Sequence, residues 1–428
     1  MSKNPTEISG LNTRHFSNQN KLDVFKYFAN QGDVVFLPLK KPLYLLNDPI
    51  SIQRVLHTHF KNYTNGSNAI PEFMAHSALT TLENDWQDDQ SELQVLFHSK
   101  NLSVYLPVVQ TMVREMLESW HYKKTVNMTH AFYLLAMKIS ARIFLGVELS
   151  DYLANTLLTK MHYCCDKWAS GRVAPKFSFS PMYWRLNRHK QFLEKTILQL
   201  LRQQKMENPK PFLASLMTDA AGFVEMLQLK TIFWMGYEGI AAMLNWTGFL
   251  LSRHPSEQHQ LQAEIKKKYI SEPLSIDSLL ELRYLHKVLQ ESMRLYPPVW
   301  MIERVVLHPD QLGSFHIPKD STVAICAYTL HRNPTYWHNP EIFNPLRFLP
   351  QRVADRERFC YLPFGAGLQV CMGKRFTTLI AKAVLAEVFA HYSLTSVDKT
   401  VPVMASMSLR PASNVLARLS VFPSVNNG

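Results

Sequence analysis

The chain has 428 residues, 46% of them hydrophobic, with 14 glycines, 24 prolines and a formal net charge of +12. That is enough apolar material for one large core, and there is no internal repeat or low-complexity tract. Length alone allows about three domains. No Gly/Ser-rich linker or long charge run divides the chain, so a single mainly α domain with small β-sheets is expected over residues 1–428, with 1–20 as an N-terminal tail.

The basic balance admits nucleic acid, anionic lipid or an acidic protein partner. Lys and Arg are spread along the chain and no nucleic-acid motif occurs, so nucleic acid is set aside; a merely solvated basic surface remains an equal reading. The five cysteines are Cys164, Cys165, Cys326, Cys360 and Cys371. An odd count without framework spacing argues against a disulfide-built secreted protein. The first forty residues lack the charged–apolar–small order of a signal peptide. Lys21–Phe36 mixes polar and apolar residues and cannot span a bilayer. The chain therefore reads as cytoplasmic and soluble, without a transmembrane anchor.

In chain order, Leu102–His121, Met128–Gly146 and Tyr152–Lys167 carry apolar residues at three- and four-residue spacing, which predicts three helices. Gly171–Tyr183 is a non-periodic link. Arg185–Lys205 predicts a strongly basic helix, and Phe212–Glu225 a shorter one. Thr231–Ser252 is the most apolar stretch, 22 residues with one charge, Glu238. As a helix it would run about 33 Å, long enough for a membrane. Glu238 and three glycines inside it, and the lack of any second such stretch, predict instead a long helix through the core, ended by Arg253-His254-Pro255. Ser256–Lys268 predicts a charged surface helix, and Ile276–Tyr296 another that stops at Pro297-Pro298. Val299–Tyr328 breaks into short β-branched runs that read as strands. His331–Arg358 is irregular and rich in Pro, Asn and Phe. Lys374–Tyr392 predicts a final helix, and Val401–Pro423 a terminal hairpin or strand pair.

The chemistry concentrates in Phe364-Gly365-Ala366-Gly367-Leu368-Gln369-Val370-Cys371-Met372-Gly373. Glycines let backbone pass close to a flat, bulky ligand and adopt positive φ. Backbone N–H groups and the following helix N-terminus favour a thiolate at Cys371. A lone thiolate held this way can be the axial ligand of a haem iron. On the loop alone, a Gly-rich turn with an incidental buried cysteine is the competing reading.

The segment resembles the haem-binding loop of the cytochrome P450 family: Phe364, Gly367, Cys371 and Gly373 fall on its fixed positions, with Gly365 between them. Glu291-Ser292-Met293-Arg294, followed by Leu295-Tyr296-Pro297-Pro298, resembles the family's ExxR helix and its proline exit. Alone, such a pair is usually a weak surface ion pair. The resemblance implies a structural role in which Glu291 and Arg294 lock onto an arginine before the cysteine loop, expected to be Arg347. His331-Arg332-Asn333-Pro334, Trp337, Asn339-Pro340-Glu341 and Phe343-Asn344-Pro345 resemble the family's segment between those two motifs. Prolines there can make irregular chain rigid.

The resemblance further implies that Arg304 and Trp86 hold haem propionates. A guanidinium can grip a carboxylate with two N–H groups, and an indole N–H can donate one. A solvated strand arginine and a core tryptophan are the plainer readings. Gln90 and Gln369 stand where the family usually has arginines, which implies weaker propionate anchoring and more reliance on Arg304, Trp86 and a nearby histidine. In the long helix, Gly236 and Glu238 match the family's glycine and acid, but Gly239 replaces its threonine. In the family that acid–alcohol pair helps deliver protons, a general-acid task. Glu238 is therefore expected to be catalytic, with Gly236 and Gly239 beside the cofactor. The alternative is that Glu238 pairs with a buried cation and is structural.

Other chemistries fail on spacing. The loop is one residue too long for GxxxxGK[ST], and Arg375 replaces the Ser/Thr. No GxGxxG, HExxH or zinc-type Cys/His spacing occurs. The resemblance implies a haem b monooxygenase acting on an apolar small molecule, with electrons from a ferredoxin- or flavodoxin-type donor and its reductase. Lys374 and Arg375 would face that donor. Two rivals keep the haem: a peroxygenase, isomerase or dehydratase, and a non-catalytic sensor. By resemblance the substrate pocket draws on Phe73 and Met74, the Tyr152–Tyr183 region, Trp300-Met301-Ile302 and Met404-Ala405-Ser406-Met407.

Overall fold

The computed structural model describes residues 6–7, 21–39, 41–65, 97, 99–170, 180–207, 223–268, 274–367 and 370–422. Helices dominate, and their boundaries follow local chemistry. The Met128–Ser140 helix begins where the Asn127 side chain accepts from the His130 N–H at 3.1 Å, runs into a π-helical turn over Ala141–Leu145, and ends at Gly146, φ +70°. Asn at an N-cap and glycine in the left-handed region are the standard physical solutions for helix ends. The Asp151–Ala169 helix is capped in the same way by Ser150, which accepts from Leu153 N–H.

The long apolar stretch is a helix, Phe223–Arg253, of 31 residues. Its first turn contains 223–225, which the sequence assigns to a separate short helix; the rest of that expectation, 212–222, lies outside the described residues. The helices at 128–140, 283–295 and 374–391 surround it, burying Trp234, Tyr237, Trp246, Phe376 and Phe389 in the main core. Among the described residues no helix is long and apolar enough to cross a membrane.

Two sequence expectations need correction, and one sheet goes beyond them. The single helix expected over Ile276–Tyr296 is two, Ile276–Glu281 and Arg283–Leu295, broken at Leu282 (ψ 78°). The Glu264 carboxylate from the preceding helix accepts from the amides of Tyr284 (2.6 Å) and Leu285 (3.0 Å), satisfying first-turn donors that a continuous helix would pair internally. The region after Val401 is more than a hairpin. Val403–Ala405 and Leu409–Pro411 pair with each other, but Leu416–Val421 joins Tyr392–Ser396 and Thr125–Asn127 in a three-stranded sheet. N-terminal strands, not anticipated, complete a six-stranded sheet. Its order is Thr6–Glu7, Val34–Leu37, Leu43–Leu46, Thr322–Cys326, Met301–Val306, Tyr63–Asn65. Two of those pairings, Leu43–Leu46 with Thr322–Cys326 and Tyr63–Asn65 with Met301–Val306, link segments hundreds of residues apart, and no local pattern encodes them.

Trp246 ties the layers together. Its ring stacks on Tyr296 at 3.8 Å and an interplanar angle of 5°, and its N–H donates to the Leu409 carbonyl at 2.8 Å. One side chain of the long helix thus seats both the exit of the 283–295 helix and the 403–411 hairpin.

Candidate functional site

The cysteine loop is built by backbone turns that only glycine adopts freely. Gly365 and Gly367 have φ of +74° and +72°. The Cys371 N–H donates to the Phe364 carbonyl at 2.9 Å, closing the loop, and the Lys374–His391 helix starts just beyond. Phe364 is half-buried against the main core. Of the five cysteines, Cys371 alone is exposed. Its surroundings are still dense: burial pushes the thiol up, while the amides of Gly373 and Lys374 and the Lys374 ammonium pull it back. A metal that binds the thiolate therefore displaces a proton.

Gly367 packs so tightly that a Cβ there would lie 1.7 Å from the Leu56 carbonyl oxygen. Gly373 faces Phe97 and Thr377. Phe97, Phe144 and Phe376 form a cluster with ring centroids 5.9–6.2 Å apart. Phe144 also fills the notch at Gly236, where a Cβ would come within 2.7 Å of its ring. This aromatic wedge spaces the long helix from the cysteine helix. One turn on, a Cβ at Gly239 would meet nothing within 4 Å. Gly236 is thus a packing glycine and Gly239 borders open space.

Glu238 is buried and points into a polar cluster. The Ser408 hydroxyl donates to Oε1 at 2.6 Å, and His162 Nε2 lies 3.7 Å from Oε2. That second contact is ion-pair distance, too long for a hydrogen bond. Arg410 pairs with Asp166 next door, and Asp166 also accepts from Ser406 at 2.9 Å. Burial alone would push the Glu238 carboxyl up, but His162, Arg410 and the Ser408 hydroxyl outweigh it and hold the group down at about 2. The residues around Glu238 therefore come from the 151–169 helix and the 403–411 hairpin. No sequence signal connects His162 or Ser408 to Glu238, because only the tertiary fold brings them near.

Glu291, Arg294 and Arg347 meet in the interior. Arg294 donates to both Glu291 oxygens, at 2.7 and 2.9 Å, and Arg347 Nε donates to Oε1 at 3.2 Å. The spare guanidinium donors reach carbonyls: Arg294 to His331 at 2.8 Å, Arg347 to Asn339 at 2.7 Å and to His338. Both arginines thereby pin the irregular segment. His331, which the sequence reading leaves without a role, completes the arrangement. Its Nε2 accepts from the Leu362 N–H at 2.8 Å, so the other nitrogen, Nδ1, carries the proton and faces the Arg294 carbonyl at 3.2 Å. Burial, with Arg294 nearby, lowers its pKa to about 3, so the ring is neutral.

Arg304 lies half-buried on the 301–306 strand, donates to the Glu303 carbonyl at 2.8 Å, and has no ion pair among the described residues. Burial alone pushes its pKa down to about 10. A desolvated guanidinium without an acid is suited to a ligand carboxylate. Trp86 lies outside the described residues, as do Gln90, Gln369, Phe73 and Met74. Of the other expected pocket residues, Trp300 donates to the Ser406 carbonyl at 2.9 Å inside the fold, and Tyr152 is on the surface.

These features fit a porphyrin: one accessible sulfur at a helix N-terminus, a side-chain-free loop, open space at Gly239, and an unpaired guanidinium for a propionate. The comparisons agree. A mouse relative, "Cytochrome P450 3A16", is 26% identical over 403 residues, covering 86% of this chain and 80% of that protein. "Cyclooctatin synthase" of Streptomyces melanosporofaciens is 24% identical over 395 residues, 86% of this chain and 84% of the relative. "Cytochrome P450 4c3" of Drosophila melanogaster is 32% identical over 198 residues, 45% of this chain and 37% of the relative. The crystal structure of a cytochrome P450DA mutant heme domain superposes with a TM-score of 0.86 over 98% of both chains at 17% identity, a likeness of fold. The family model described as "Cytochrome P450" matches residues 5–417, and the chain belongs to that family of haem-thiolate monooxygenases.

Proposed function

We propose that this monooxygenase inserts one oxygen atom into an apolar small molecule, with electrons supplied by a separate ferredoxin- or flavodoxin-type donor and its reductase. The observation that carries this reading is the accessible Cys371 thiol on a glycine-built loop at a helix N-terminus. Cys371 would hold the iron through its thiolate, Arg304 would pair with a propionate, and Gly365 and Gly367 would let the backbone approach the group closely. When bound, the haem supplies the oxygen activation and the electron transfer.

Two exposed cations beside the cysteine, Lys374 and Arg375, support docking of an acidic donor. Glu238 is ionised at rest, and its Oε2, which accepts no hydrogen bond among the described residues, would take up a proton only transiently and pass it toward the space bordered by Gly239. His162 Nε2, likewise without a hydrogen-bond partner among the described residues, stands 3.7 Å from that oxygen and would supply it. A water molecule or a substrate hydroxyl at Gly239 would take the place of the missing threonine hydroxyl.

A second reading follows from the same carboxylate. Glu238 is held ionised among His162, Arg410 and Ser408, and Gly239 offers no alcohol. That arrangement also suits a peroxygenase, isomerase or dehydratase, which needs neither an acid–alcohol pair nor a donor protein. Turnover with hydrogen peroxide alone, compared with turnover with reductase and ferredoxin, separates them. Product only in the second system supports the monooxygenase; product with peroxide alone at equal or higher rate supports the alternative. Carbon monoxide added to the reduced protein tests the ligand itself. The red-shifted absorption expected of thiolate coordination should vanish in Cys371→Ala.

A further inference from the structure

Away from the cysteine loop, one surface cleft is charged in a way the fold leaves unbalanced. It encloses about 480 Å³ next to the Pro350–Ala354 helix, within the range of small-molecule sites. Its walls include Trp337, His338, Arg347, Arg352, Asp355 and Arg356, so three guanidiniums face one carboxylate. Arg347 is already committed to Glu291 and to backbone carbonyls. Arg352 and Arg356 lie four positions apart, where like charges repel, and neither has an ion pair among the described residues.

Arg352 is exposed. Arg356 is placed more rigidly: its guanidinium lies over the Trp337 and Phe348 rings at 4.2 and 4.7 Å, and Nη2 donates to the Arg347 carbonyl at 2.6 Å. The repulsion reaches Arg347, whose pKa is lowered first by burial and in part by Arg352. Trp337 adds a further surplus donor, because its buried indole N–H has no acceptor among the described residues. The wall thus holds more donors and positive charge than the protein itself satisfies.

We propose that this cleft binds a phosphoryl-bearing small molecule, with Arg352 and Arg356 gripping the anion. Guanidinium forks match phosphoryl oxygens in charge and geometry. Arg356 is held in place by its aromatic stack, so little ordering is required there, and Arg352 closes on the ligand from the exposed side. Since Arg347 lies between this cleft and Glu291, occupancy stabilises the folded state by mass action.

Calorimetric titration of the holoprotein with sodium pyrophosphate, at about 0.15 M ionic strength so that diffuse charge is screened, tests this. Saturable binding is expected in the wild type. Arg352→Gln, on an exposed residue, should weaken it about tenfold, the worth of one charge-assisted contact. Arg418→Gln, on an exposed strand residue elsewhere, should leave it unchanged. The Trp337 indole N–H resonance should move on saturation. No saturable heat, equal losses in the two variants, an unmoved Trp337 signal, or tighter binding of citrate than of pyrophosphate would each overturn the assignment.

Discussion

The Leu56 carbonyl occupies the space that any side chain on Gly367 would need: a Cβ built there lies 1.7 Å from its oxygen. Gly367 also has φ +72°. Two separate penalties therefore fall on Gly367→Ala. The left-handed backbone costs a residue with a Cβ about 1–2 kcal/mol, and the collision with backbone adds to that. Gly313 offers an internal control, because its φ is +58° but a Cβ there meets nothing within 4 Å. Gly367→Ala should lower the denaturant midpoint well beyond Gly313→Ala and reduce haem retention. Equal midpoints would show that the Leu56 contact relaxes at no cost.

Glu291 is fully buried between Arg294 and Arg347. Removing Arg347 leaves the Glu291–Arg294 pair in place but takes one donor from Glu291 and strips the His338 and Asn339 carbonyls of theirs, at about 1–3 kcal/mol for a buried group left unsatisfied. Arg347→Ala is expected to destabilise in that range, and Arg347→Lys to recover only part of it, since an ammonium cannot reproduce the fork that reaches both Glu291 and the Asn339 carbonyl. Chemical unfolding of the three proteins measures this; full recovery by lysine would mean that charge alone matters.

At Gly239 the open space makes substitution cheap. Gly239→Ala should stabilise the helix by roughly 0.5–1 kcal/mol, the ordinary gain of alanine over glycine in a helix interior. Gly239→Thr should fold and bind haem normally while changing the ratio of product formed to oxygen consumed. Glu238→Gln should lower that ratio. If both ratios match the wild type, neither position takes part in proton delivery.

Acid should destabilise this protein through His331 and Glu238. The His331 pKa falls from its ordinary 6.5 to about 3 in the fold, chiefly because burial disfavours the cation. Between those values only the unfolded chain takes up the proton, so stability falls as pH drops through that window. Glu238, held at about 2 against an ordinary 4.5, acts in the same direction at lower pH. Urea midpoints should decline from pH 7 to pH 4, and His331→Gln should flatten the decline above pH 5. A wild-type profile level over that range would exclude His331 as a coupled group.

Much of the molecule was legible from local pattern. The apolar run around Glu238 carries its meaning within its own length, whereas the glycine–cysteine loop and the Glu291/Arg294 spacing gained theirs from occurring together in the family's order. Hydrophobic periodicity likewise marks helices, because a helix buries a face set by its own 3.6-residue repeat. The choice of Arg347 as third member of the buried trio needed the family resemblance, since many arginines stand near the loop.

What only tertiary structure decided is what depends on distant segments meeting. The break at Leu282 follows from the Glu264 carboxylate of another helix. The strand at Leu416–Val421 takes partners at Tyr392–Ser396 and Thr125–Asn127. Glu238 acquires its ionised state from His162, Ser408 and Arg410, and His331 its neutral state from burial against Arg294 and Leu362. Charge state in an interior is set by the desolvation and the partners that folding supplies. The residues were readable in one dimension; their protonation and partners exist only once the chain has closed around them.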